Sequence, residues 1–173
     1  MQIRDLFDDF PLSGNDVVPL ELQQLLKTSL DVMDDWERVD KLLQEAREKL
    51  PGRYEISVAL YKMYAYSNRF DQALGLINEV ICDCANECKI NIDWRKQNIN
   101  SHHWQNASGA ERAYLYSLKA MGFVLLRKGE LDLSLEVLKK LQELDPQDQV
   151  GGSVLLEVVE RILDDEDELG YVA

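Results

Sequence analysis

Cysteine, proline and histidine are all scarce in this chain, at 3, 4 and 2 of 173 residues. An odd cysteine count does not suggest a disulfide framework, so the fold must be held by burial. No apolar run approaches the roughly 18 to 20 residues that cross a bilayer. The opening Met1-Gln2-Ile3-Arg4-Asp5 is mixed in charge and lacks the apolar centre of a secretory signal. The cytoplasm is therefore the expected compartment, without membrane insertion. Positive charge is also short: 19 Lys and Arg stand against 32 Asp and Glu, for a net charge of −13. That field repels phosphate, and no run of Lys and Arg offsets it locally, which argues against a nucleic-acid partner. There is no glycine-rich phosphate loop and no pattern that signals a nucleophile with its base and orienting group. Neither an enzyme nor a cofactor is expected.

What the chain does have is apolar residues, 46% of the total, in a length that buries one core. Residues 1–18 mix Asp5, Asp8, Asp9, Pro11, Gly14 and Asp16 with Leu6, Phe7 and Phe10, which reads as a tail or a short docking segment. From Pro19 the spacing turns helical, with Leu20, Leu22, Leu25, Leu26 and Leu30 at helical spacing. Helices are predicted near 20–33, 36–49, 53–67, 70–90, 110–128, 131–144 and 149–164. One helical domain then covers 19–165, and an acidic tail covers 166–173.

The chain also repeats itself. Trp36-Glu37-Arg38-Val39 aligns with Phe70-Asp71-Gln72-Ala73 and with Leu131-Asp132-Leu133-Ser134. Each has a large apolar residue followed three later by a smaller one, and the next turns carry Leu42-Leu43, Leu76-Ile77 and Val137-Leu138. Trp36 and Phe70 lie 34 residues apart. Pro51 and Pro146 each fall fifteen residues beyond the start of their second helix, where a missing amide hydrogen ends the ladder. Before the second helices stand the polar turns Asp34-Asp35, Asn68-Arg69 and Gly129-Glu130. This pattern resembles the tetratricopeptide repeat, whose period is about 34 residues. The third unit is the best match, with Leu118, Met121, Gly122 and Leu125 at the large, large, small and large positions, Gly129 at the turn and Asp145-Pro146 at the close. In the second unit Leu60 and Tyr64 match while Tyr61 replaces the small residue; in the first, Lys27 does. The resemblance implies an all-α, right-handed superhelix of helix pairs, with the last helix as a cap.

Residues 81–110 interrupt the repeats. They hold Cys82, Cys84 and Cys88, Trp94, and Ser101-His102-His103-Trp104. Two readings compete. The three cysteines with His102 and His103 could form a metal or redox site, but C-x-C and C-x₃-C spacing on a continuing helix turns Cys82 away from Cys84 and Cys88. Alternatively Trp94 and Trp104 pack the insertion onto the helices. The second reading is preferred, and no metal ligands are assigned.

Function follows from the resemblance. In such folds the first helix of each pair lines the concave face, which places Glu55, Val58, Lys62, Ala65 and Tyr66 there, with Tyr116, Lys119, Phe123, Leu126 and Arg127. Val58, Lys62, Tyr66, Tyr116, Lys119, Phe123 and Arg127 are the candidate peptide-binding set. The expected role is a non-catalytic adaptor or chaperone-like module that holds another protein. A structural homo-oligomer, and a metal- or redox-linked accessory protein using the Cys/His insertion, are the alternatives.

Overall fold

The computed structural model describes residues 1–8 and 18–170, with only the backbone described over 166–170. Asp9, Phe10, Pro11, Gly14 and Asp16, and the end of the acidic tail at 171–173, lie outside the described residues. The rest is all-helical, with seven α-helices and two short 3-10 turns among the described residues. The helices are α1 (Leu20–Leu26), α2 (Trp36–Lys49), α3 (Tyr54–Tyr66), α4 (Phe70–Glu87), α5 (Gly109–Lys128), α6 (Leu131–Leu144) and α7 (Ser153–Gly170). Two compact units, Met1–Leu76 and Ile77–Ala173, divide the chain within α4.

In the first unit α3 is the central element. Its sequence is apolar around nearly the whole circumference, and Glu55 through Ala65 are all buried. A helix of this kind needs covering on more than one side. α2 covers one side with Val39, Leu43 and Ala46. The 3-10 turn Ile3–Phe7 supplies another cover, with Ile3 and Leu6 fully buried and Phe7 nearly so. Residues 3–7 therefore dock against α3. At the joint of α2 with α3, the Trp36 indole N–H donates to Ser67 Oγ at 2.9 Å. The Arg69 guanidinium lies 3.5 Å from the centre of the same indole, a cation–π contact. The Tyr64 hydroxyl donates to Asp40 (2.7 Å) and accepts from Gln44 (2.8 Å). Burial, then Asp40, push that phenol up to about 12.

The helix expected over 20–33 stops at Leu26. Beyond it, Asp31 organises the chain. Its carboxylate accepts the Met1 ammonium at 2.7 Å and the backbone N–H groups of Met33 (2.8 Å) and Asp34 (3.2 Å). The Val32 N–H donates to the Met1 carbonyl at 2.8 Å, tying the chain start to this corner. The ammonium, followed by the two amides, holds the Asp31 carboxyl down to about 2, and Asp31 in turn raises the ammonium above its ordinary 8.0. The lowered acid makes its contribution above pH about 4 and loses it as pH falls through about 2. The raised amine contributes below pH 8.0 and loses its share as pH rises through its folded value. The Val32 amide should therefore exchange slowest, relative to its intrinsic rate, between those limits. Asp31→Asn should remove the acid limb; an unchanged profile in that variant would show that the contact does not hold the segment.

The second unit is built on the α5–α6 hairpin. Gly129, at φ 79°, adopts the left-handed conformation that closes α5, and its N–H returns to the Leu125 and Leu126 carbonyls. Closer in, a methyl group on Gly122 would sit 2.6 Å from the Leu138 side chain. The Ser134 hydroxyl donates to the Gly122 carbonyl at 2.7 Å across the same contact. A small residue at position 122 is thus a steric requirement. Leu115, Leu118 and Leu125 of α5 pack with Val137, Leu138 and Leu141 of α6 in the core.

After α6, buried Asp145 organises the turn. Its carboxylate accepts the N–H groups of Gln149 (3.0 Å) and Val150 (3.1 Å) and the Gln149 side-chain amide (3.0 Å). Positive φ at Asp148 (54°) and Gly151 (70°) keeps the chain out of a helix here. Asp148 then accepts the Ser153 N–H at 3.0 Å, so α7 begins at Ser153 rather than at 149. α7 packs on α6 and α5 through Leu156 and Val159, and its backbone continues helical to Gly170, beyond the expected end at 164.

Candidate functional site

α4 runs to Glu87, so Cys82 and Cys84 lie on a helix. Cys84 is fully buried and Cys82 half-buried. Lys89, at φ 56°, ends the helix, and the Ile90 N–H returns to the Ala85 carbonyl at 2.9 Å. Residues 89–108 then form a loop within the second unit. Trp94 opens a 3-10 turn and is 7% exposed. Arg95 lies 4.3 Å from the Trp94 ring centre and pairs with Glu136 of α6 at 2.8 Å. The Gln97 carbonyl accepts Lys140 Nζ at 2.7 Å.

Trp104 is the anchor of the loop, at 2% exposure. Its indole N–H donates to the Asn98 carbonyl (3.2 Å), and its own carbonyl accepts the Gln149 side-chain amide (3.0 Å). Gln149 also accepts the Ala107 N–H at 2.9 Å, which joins the loop to the α6–α7 turn. On its two flanks the indole meets the Tyr114 ring and the His102 ring, each with centroids 5.4 Å away. The expectation that both insertion tryptophans pack it down agrees with these contacts.

One chemically distinctive cluster results. Cys88, His102 and Glu111 each offer one ligand atom, and these atoms lie within 4.8 Å of one another. His102 Nε2 is 3.0 Å from Glu111 Oε1. Because an ionised carboxylate only accepts, this nitrogen carries the proton when the two are bonded. Cys88 directly follows α4, His102 comes from the loop, and Glu111 stands in the first turn of α5. Burial, then Glu111 and Glu87, push the Cys88 thiol up to about 11, which keeps it protonated at neutral pH. Below the cluster the Tyr114 hydroxyl is buried without a hydrogen-bond partner, and burial raises it well above its usual range.

The cluster differs from the metal set weighed on the sequence. Cys82 and Cys84 are outside it, and His103 is exposed. Glu111 was missed, since a glutamate in the first turn of a helix is ordinarily read as a favourable charge for the helix dipole.

The expected peptide-binding residues separate by burial. Val58 is completely buried and Lys62 is 7% exposed, so neither presents a surface for a peptide. The cause is the all-round burial of α3, to which α2 and the docked N-terminal segment contribute. Tyr66, the last residue of α3, is 44% exposed. On α5, Tyr116 is only 6% exposed. Lys119 lies 5.3 Å from the Tyr116 ring centre and donates to the Val150 carbonyl at 2.8 Å, which gives it a structural task. Phe123 is half-buried, and the exposed Arg127 lies 5.9 Å from its ring centre.

No protein-family model and no solved structure matches this chain. An uncharacterized 19.8 kDa protein in the nifW 5′ region of Azotobacter chroococcum mcd 1 is similar: it is 29% identical over 121 residues. That match covers 68% of this chain and 67% of the relative. Among the described residues, no helix is long and apolar enough to cross a membrane.

Proposed function

We propose that the chain is a non-catalytic module of tetratricopeptide-like helix pairs that holds another polypeptide. The observation that carries this reading is the outer end of one α5 face, where Phe123 is half-buried and Arg127 lies over its ring. Such a pair offers an apolar surface and a planar cation at one place, the combination that anchors an aromatic or acidic peptide side chain. The helix-pair pattern in the sequence and the glycine-mediated contact of α5 with α6 support the same reading. The partner is expected to be a peptide or amphipathic helix carrying carboxylates.

The purified chain, immobilised and exposed to a lysate of its native host, should capture a defined protein. Phe123→Ala with Arg127→Glu should lower that capture at least tenfold while the helical circular dichroism stays unchanged. Equal capture by the double variant would remove α5 from the binding surface. Capture of the chain by itself would favour self-association instead, for which the exposed Val154 and Val158 of α7 are the available apolar residues. Tyr116 is unsuited to this test, because its burial makes any truncation a change in stability.

A further inference from the structure

We infer that Cys88, His102 and Glu111 form a binding site for one divalent transition-metal ion of the zinc type, with a fourth position left to water. The first support is chemical. A thiolate, an imidazole and a carboxylate are the three donor types that zinc accepts, and three protein ligands plus water is its usual open arrangement. The second is geometric. Zinc bonds of roughly 2.0 to 2.3 Å set tetrahedral ligand atoms about 3.3 to 3.8 Å apart. Here His102 and Glu111 atoms are already 3.0 Å apart, and all three ligand atoms fall within 4.8 Å. Closing the remaining gap takes a side-chain adjustment of about 1 Å, not a change of fold.

The third support is that the ligands are held in place before any ion arrives. The Cys88 N–H continues the α4 ladder to the Cys84 carbonyl at 2.9 Å. The His102 ring stands edge-on to Trp104, at 67° and 5.4 Å between centroids, and Trp104 is itself buried and hydrogen-bonded. Glu111 projects from the first turn of α5, its carboxylate 3.0 Å from His102 Nε2. The His102 and Glu111 side chains are 24% and 32% exposed, so an ion and its water can reach them from solvent. Binding releases the Cys88 thiol proton to solvent. It also replaces the hydrogen between His102 Nε2 and Glu111 with the ion, the imidazole proton moving to Nδ1. The ion would thus tie the end of α4, the 89–108 loop and the start of α5 together.

The test uses the whole chain, stripped with chelator, kept reduced and titrated with cobalt(II) as a spectroscopic stand-in for zinc. One equivalent should give a sulfur-to-cobalt charge-transfer band together with the visible absorption of a tetrahedral ion, and zinc should displace both. Cys88→Ala should abolish the charge-transfer band. His102→Ala and Glu111→Gln should each weaken binding at least tenfold, with circular dichroism unchanged. Cys82→Ala should bind as the parent does. A measurement on the unaltered chain guards against a misfolded variant: zinc should shield Cys88 from alkylation, read by mass spectrometry, and slow proteolysis of residues 89–108. The inference is overturned if the parent gives no charge-transfer band with cobalt, if the band survives Cys88→Ala, or if zinc leaves Cys88 alkylation unchanged. It does not depend on polypeptide binding at α5, which the Phe123 and Arg127 variants address separately.

Discussion

Trp104→Ala is expected to destabilise the protein by about 3 to 5 kcal/mol, the usual cost of deleting a buried indole. The magnitude follows from what the side chain joins. It is 2% exposed, it packs against Tyr114 of α5, and its N–H satisfies the Asn98 carbonyl within the loop. Removal leaves a cavity beneath residues 89–108 and an unsatisfied carbonyl, and both effects have the same sign. Urea unfolding of the parent and variant, followed by circular dichroism, measures the difference. Trp94→Ala should cost less, because Trp94 is more exposed and stacks on Arg95 near the surface. If Trp104→Ala costs under about 1 kcal/mol, the loop does not depend on this anchor. The metal site would then lack the support argued for His102.

Gly122→Val is the second large effect, expected at about 2 to 3 kcal/mol through overpacking. Helix propensity alone predicts the opposite direction, since glycine inside a helix is worse than valine by a few tenths of a kcal/mol. Contact decides between them. A Cβ at this position would lie 2.6 Å from two carbons of Leu138, so α5 and α6 must separate or Leu138 must leave its rotamer. Separation would also stretch the 2.7 Å bond from Ser134 to the Gly122 carbonyl. Leu138→Ala in the same chain should recover part of the loss, a coupling that a double-mutant cycle in thermal unfolding can read. Additive effects would show that the clash is not with Leu138.

Much of the helical pattern was legible because it is local. α2, α3, α5 and α6 fall within a residue or so of the spans predicted from apolar spacing, turn glycine and closing proline. The small residue at position 122 was also readable, from the repeat pattern that the third unit resembles. Errors gathered where an interaction distant in sequence competes with local periodicity. Beyond the end of α1 at Leu26 the Met1 ammonium pairs with Asp31, and ahead of α7 Asp145 holds the Gln149 and Val150 amides.

The candidate sites divide in the same way. Periodicity places Tyr116, Lys119, Phe123 and Arg127 along one stretch of α5, yet it cannot say that Tyr116 is buried or that Lys119 is engaged by the Val150 carbonyl. Val58 and Lys62 looked like surface on a helix whose neighbours were unknown; a docked N-terminal turn is now one of them. Cysteine spacing set Cys82 apart from Cys84 and Cys88, and in the structure neither Cys82 nor Cys84 joins the Cys88 cluster. That argument had no access to Glu111, twenty-three residues after Cys88.

By itself, then, the sequence determined α2, α3, α5 and α6, the turns beside them and the need for a small residue where α5 meets α6, since each is a matter of spacing within a few turns. Only the tertiary structure decided which faces are covered and which side chains meet. Burial and ligand convergence depend on segments far apart in the chain, and no local period records them.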